Sequence, residues 1–94
     1  MLPDLDPLLH SQLRLAVMST VLTNEETDFN ELRAITKASS GNLSVQLKKL
    51  QQAEYIIIEK GYKDNYPHTA VKITKKGIEA FEKYVQALSN YLPK

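Results

Sequence analysis

Residues 40–61, SGNLSVQLKKLQQAEYIIIEKG, decide how the chain is read. Leu43, Leu47 and Leu50 fall on one face at helical spacing, about 100° per residue. Turning these three inward sends Val45, Lys48, Lys49 and Gln52 to the far side, with Asn42 and Ser44 on its flanks. Beyond Leu50 the pattern changes to Tyr55, three β-branched isoleucines and Glu59, which is the signature of a strand. A helix with a small, polar and basic outer face therefore leads directly into a strand.

Ninety-four residues hold one domain and one core. Apolar content of 43 % and charged content of 24 % are ordinary for a globular domain and argue against disorder. The chain has no cysteine, which excludes disulfides, thiolate metal sites and thiol nucleophiles together. That absence fits a reducing compartment, and a cytoplasmic location is expected. No apolar run approaches the roughly 20 residues of a membrane span, so no membrane partner is expected. The opening MLPDLDPLL carries two aspartates and no basic residue, unlike a signal peptide.

Charge is distributed unevenly. Residues 1–36 set Arg14 and Arg33 against six acidic residues, a balance of −4. Residues 37–76 set eight lysines against Glu54, Glu59 and Asp64, a balance of +5. A basic middle segment in a nearly neutral chain points to an anionic partner for one face.

Working outward, Asp6-Pro7 predicts the start of a first helix over 8–22, an N-cap candidate followed by proline at the first helical position. Its apolar residues run almost all round the axis, so it is expected to have more than one neighbour. A second helix is expected near 30–37, capped by Asp28 or Asn30, with Leu32 and Ile35 inward, and Thr27-Asp28-Phe29 can form a very short strand before it. Ser39 or Ser40 caps the third helix, 40–53. A hairpin follows over 55–74: a strand from Tyr55 to Glu59, a turn-rich stretch GYKDNYPH, then the alternating AVKIT. Pro67 is expected to lie outside any central strand. Thr74 caps a last helix over 75–92 with two apolar stripes, Ile78, Phe81, Val85, Leu88 and Leu92 on one side and Ala80, Tyr84, Ala87 and Tyr91 on the other. The fold class expected is mainly α with a small β-hairpin: a winged helix-turn-helix.

In that arrangement the third helix offers its outer face to the DNA major groove. Asn42, Ser44 and Gln52 can exchange hydrogen bonds with base edges, Val45 can touch a thymine methyl, and Lys48 and Lys49 meet phosphates. The hairpin tip holds Lys63, Asn65, Tyr66 and His68, groups able to reach a backbone or a minor groove. The other reading of each feature is an ordinary amphipathic surface helix and a plain β-turn.

The runs FNEL from Phe29, SGNLSVQLKKLQQAEYI from Ser40, EKGY from Glu59 and VKITKKG from Val71 resemble the winged-helix DNA-binding domain family related to MarR- and ArsR-type regulators. The resemblance extends from Asp6 to about Tyr84. It implies a dimeric transcriptional regulator that binds double-stranded DNA, with the third helix as reader and the hairpin as wing. By position it assigns Ser40, Asn42, Ser44, Val45, Gln46 and Lys49 to DNA, with Lys63 and His68 on the wing. Relatives often carry a basic residue where Val45 stands, and arginines where this wing has Asp64-Asn65-Tyr66.

His10 and His68 are the only histidines and fall on different elements, so no metal site is expected, and no cofactor. There is no phosphate-binding glycine loop, catalytic carboxylate pair or nucleophile motif, and an enzyme is not expected. Nothing in the pattern indicates a small-molecule effector. The surplus of apolar faces on the first and last helices predicts a homodimer, its interface assigned to Leu9, Leu13, Tyr84, Ala87, Leu88 and Tyr91. A winged-helix protein-interaction module that no longer binds DNA is the alternative function.

Overall fold

Each helix of this chain starts at a side-chain oxygen that takes up a free backbone N–H. Ser11 accepts from Arg14, Asp28 from Glu31, Ser39 from Asn42, and Thr74 from Gly77. The structure, a computed structural model, describes residues 1–93. Its elements are α1 (Gln12–Asn24), β1 (Glu26–Asp28), α2 (Phe29–Thr36), α3 (Ser40–Gln52), β2 (Ile56–Lys63), β3 (Tyr66–Ile73) and α4 (Lys75–Ser89). The strands form one antiparallel sheet in the order β1-β3-β2. None of the helices among the described residues is long and apolar enough to cross a membrane.

The first helix departs from its expected bounds. Asp6 accepts the Leu8 N–H on its carboxylate at 2.9 Å, and its own carbonyl accepts from Leu9 and His10 at 3.1 and 2.9 Å. That closes a single turn, because an aspartate side chain competes with helical hydrogen bonding at its own position. The chain then becomes extended at Ser11 and starts α1 afresh at Gln12. The break carries Leu9 fully into the core.

The core comprises Leu9, Val17, Met18, Val21, Leu32, Leu43, Leu47, Leu50, Ile56, Val71 and Tyr84. All three α3 leucines predicted to face inward are buried. Ile35 is not: it is 56 % exposed, against the expectation. Helix α2 buries only Leu32 completely, and Ile35 lies about 60° further round the axis, past the edge of that contact.

The hairpin is longer and its turn tighter than the sequence indicated. The two strands pair from Ile56↔Ile73 to Lys63↔Tyr66, leaving only Asp64 and Asn65 as loop. Both have positive φ, 52° and 68°, as a two-residue hairpin turn of the mirror-image type requires and as Asp and Asn tolerate. Pro67 is within β3, the middle strand, contrary to expectation. It pairs with Tyr62, and next to the hydrogen-bonded Lys63–Tyr66 pair such a position donates nothing to its partner. On its other side β1 reaches only as far as Ala70, so Pro67 occupies a locally free edge.

Helix α4 turns the stripe holding Tyr84 inward. Tyr84 is 3 % exposed, and its hydroxyl meets His10 Nδ1 at 2.8 Å. Leu9 and Tyr84, expected at an interface between copies, are therefore buried inside the chain instead. Gly77 accounts for the side of the helix that docks. It shares the Tyr84 side of the helix and lets α4 lie directly on the Tyr55 backbone. Phe81 and Leu88 of the other stripe pack partly against the core beside it, while Val85 is left 50 % exposed and Leu92, past the helix end, 59 %.

Candidate nucleic-acid interface

Helix α3 is held by its leucines, so its remaining sides are determined. Ser40, Asn42, Ser44, Val45, Lys48 and Lys49 are all exposed. The helix N-terminus is capped by Ser39, which accepts the Asn42 N–H at 3.1 Å, and the first-turn residues Ser40 and Asn42 are exposed. Val45 offers a half-exposed apolar patch at the centre of this face.

One flank of α3 borders the wing. Ser44, Leu47, Lys48 and Gln51 form one wall of a groove of about 720 Å³, and Ile58, Lys60 and Thr69 form the other, with Phe29 at its end. Among the described residues, two lysines and no carboxylate line it. Strand alternation explains the wing's side of the groove. Ile56 and Ile58 face the core, and Lys60 and Tyr62 continue the same face outward beyond it. Register places Thr69 opposite Lys60 and Pro67 opposite Tyr62.

The residues expected on the wing divide differently. Asn65 is in the turn, while Lys63, Tyr66 and His68 share the face turned away from the groove. That outer face continues into Lys72, whose ammonium contacts Glu59 at 2.8 Å and Glu26 at 3.4 Å. The hydrogen bond to Glu59, then its charge and those of Glu26, hold the Lys72 proton more tightly than usual. The sheet's outer face is thus neutralised at Lys72, while Lys60 carries its charge towards α3. Lys60, Tyr62, Thr69 and Gln51 were not singled out by the sequence pattern. A period of two counted outward from Ile56 and Ile58 marks the first two.

The other flank of α3 is tied to α1. Gln46, assigned to DNA by resemblance, is half-buried and engaged within the chain. Its Oε1 accepts from Arg14 Nη1 at 2.5 Å, and its Nε2 donates to Asn42 Oδ1 at 3.0 Å. Gln46 is therefore a support for Asn42 and does not itself stand on the outer face. Arg14, from the acidic N-terminal third, was also not anticipated. On α2, exposed Arg33 and Lys37 add a basic ledge beside the turn into α3, where a first helix crosses a DNA backbone. Lys37 stands at φ 58° and closes α2 by donating its N–H to the Arg33 carbonyl.

Two helices set by a short turn, a third element of charge on a hairpin and a basic groove between them define a winged helix-turn-helix nucleic-acid binder. The chain belongs to the winged helix DNA-binding domain family, whose model matches residues 13–92. It is 30 % identical over 76 residues to an uncharacterised protein of Methanocaldococcus jannaschii, spanning 81 % of this chain and 83 % of that one. Among solved structures it is similar to a transcriptional regulator homologue from Pyrococcus horikoshii, with a TM-score of 0.83 and 24 % identity. That match covers 89 % of this chain and 83 % of the other. A mutant MarR from E. coli has the same fold at a TM-score of 0.75 and 19 % identity, with 88 % of this chain and 60 % of MarR covered.

Proposed function

We propose that this chain is a sequence-specific transcriptional regulator that binds double-stranded DNA as a homodimer. Helix α3 enters the major groove, and the β2–β3 wing lies on the backbone or minor groove. The observation that carries this is the exposed side of α3 next to the groove of Lys48 and Lys60. Hydrogen-bonding groups at its N-terminal end stand where base edges are read, and positive charge stands where phosphates pass. Arg33 and Lys37 extend the charge to the preceding helix. Membership of a DNA-binding family supports the same reading.

The burial of Leu9 and Tyr84 moves the proposed dimer surface away from the residues that the apolar pattern had marked for it. Val85 of α4, with half-buried Phe81 beside it and Leu22 of α1, forms an apolar face suited to an isologous contact, and exposed Leu92 follows just past the helix end. Ala87, Leu88, Tyr91 and Leu13 lie at its margins or are partly buried against the core.

The test is duplex binding as a function of salt. With about three to four phosphates neutralised per subunit, the log–log slope for a dimer is roughly −5 to −7. A second reading, a protein-interaction module, is favoured by Val45 and Ile35, both more than half exposed, and by a wing turn that carries Asp64 and no arginine. No duplex binding at low salt, or a flat salt response, decides for that second reading.

A further inference from the structure

We infer that Arg14, on α1 and outside the reading surface, sets the hydrogen-bonding polarity of Asn42 and so the class of base that α3 prefers. The inference rests on the DNA-binding reading above and extends it to a positioning residue and a base preference.

An arginine guanidinium only donates. Arg14 gives its Nε–H to the Leu8 carbonyl at 2.5 Å and its Nη1 to Gln46 at 2.5 Å. Among the described residues no carboxylate is within ion-pair distance of it, so its charge is directed at these two neutral oxygens. Facing a pure donor, Gln46 must present its amide oxygen to Arg14. Its NH2 group then points the other way, one turn back along α3, to Asn42. Facing that donor in turn, Asn42 must present Oδ1, as it does at 3.0 Å. The Asn42 NH2 group is left free on the exposed side. Each amide orientation follows from the one before it, and the first is dictated by a group with no alternative.

The polarity has a consequence at a base edge. Asparagine reads adenine by placing both its oxygen and its nitrogen on the base. With one of the two lone pairs of its oxygen taken by Gln46 and its NH2 group free, Asn42 approaches DNA chiefly as a donor. The matching edge is rich in acceptors: guanine, with O6 and N7 adjacent, fits best, and thymine O4 is next. The Leu8 carbonyl bond fixes Arg14 from its other side, so the relay is anchored to the N-terminal turn that Asp6 closes.

The experiment is selection of bound duplexes from a randomised pool with the full chain, followed by affinity measurements on single-base variants. Asn42→Ala locates the base pair concerned, as the position whose preference disappears. Wild type is expected to prefer guanine there over adenine by about tenfold. Gln46→Glu replaces the relay's donor by an acceptor: the new carboxylate still pairs with Arg14 but now takes the Asn42 NH2, turning Oδ1 outward. The preference is expected to invert towards a base bearing a donor, cytosine or adenine. Arg14→Lys, which still only donates, should retain the guanine preference, while Arg14→Met should flatten it. A merely structural role of Arg14 would lower binding to all sequences alike and leave the preference intact. If Arg14→Met is too unstable, the Gln46→Glu and Arg14→Lys pair decides, with melting curves confirming that both fold. An unchanged preference in Gln46→Glu, with wild type selecting a site, overturns the relay and leaves the DNA-binding reading standing. Failure of wild type to bind any duplex overturns that reading, and the relay with it.

Discussion

The same substitution, glycine to alanine, should have opposite effects at two helical positions of this chain. Gly77 lies in the first turn of α4, where a Cβ would stand 2.2 Å from the Tyr55 carbonyl oxygen and 3.1 Å from Ile73 Cγ1. A carbon–oxygen contact needs about 3.3 Å, so α4 and the start of β2 must separate by roughly 1 Å. Both sides of that contact are backbone, and no rotamer change relieves it. The displaced carbonyl also accepts from Thr74 N–H at 3.1 Å, and the Thr74 hydroxyl donates to the Glu54 carbonyl at 2.6 Å while capping Gly77 N–H at 2.9 Å. Overpacking costs about 1–3 kcal/mol and each weakened hydrogen bond about 1 kcal/mol, against a helix-propensity gain of at most about 1 kcal/mol. Gly77→Ala should therefore destabilise by about 2–3 kcal/mol, lowering Tm by roughly 10–20 °C for a domain of this size. Gly41, in the first turn of α3, has nothing within 4 Å of the same position, and Gly41→Ala should stabilise by about 0.5 kcal/mol. Thermal and urea unfolding followed by circular dichroism measure both. A Gly77→Ala protein melting at or above wild type would refute the account of how α4 docks. Gly41 also faces outward from α3, so its added methyl should weaken duplex binding while the fold gains stability.

In the groove, Lys48→Ala and Lys60→Ala should each weaken specific and random duplexes alike and reduce the magnitude of the salt slope by about one per subunit; equal slopes for wild type and variants would remove these lysines from the backbone contact. Asn42→Ala should cost about 1–3 kcal/mol on the selected site and little on random DNA, whereas Lys63→Ala should affect both equally; a uniform loss from Asn42→Ala would mean that α3 only grips the backbone. Wild type should sediment as the proposed dimer, and Val85→Glu, on the exposed side of α4, should yield monomers at the same concentration without a fall in monomer stability; a wild-type monomer refutes the dimer, and a dimer that survives the substitution places the interface elsewhere. Burial, and then the 2.6 Å hydrogen bond its hydroxyl gives Asp6, push the Tyr55 phenol up to about 12 from 10.0. Because the folded value is the higher, this stabilisation is complete below pH 10 and is lost as pH rises through about 12. Phenolate absorbance should show a component titrating near pH 12 that is lost in Tyr55→Phe; a wild-type titration curve without that component would contradict it.

Local chemistry alone determined much of this protein. The Leu43, Leu47 and Leu50 spacing placed α3 and its exposed side, because a helix of known period has only one way to bury three leucines in a row. Thr74 marked a helix start, and Asp28 or Asn30 and Ser39 or Ser40 narrowed two others to a pair each; the structure picks Asp28 and Ser39, each satisfying an N–H three residues away. What the pattern left open lay wherever two apolar faces, or two polar partners, were locally equivalent. Helix α4 had two apolar stripes, and the close approach of Gly77 to Tyr55 and the hydroxyl of Tyr84 reaching His10 set the side that docks. Leu9 became core because Asp6 closed a turn in competition with the helix. Lys60 joined Lys48 across the groove once β2 was paired far enough to carry its inner face past the core. Gln46 was assigned to DNA by resemblance, yet its side chain is engaged by Arg14, 32 residues earlier in the chain. Periodicity names the faces of an element, since it depends only on neighbours along the chain. Which face meets which depends on contacts between residues far apart in sequence, and those exist only once the helices and the sheet have packed.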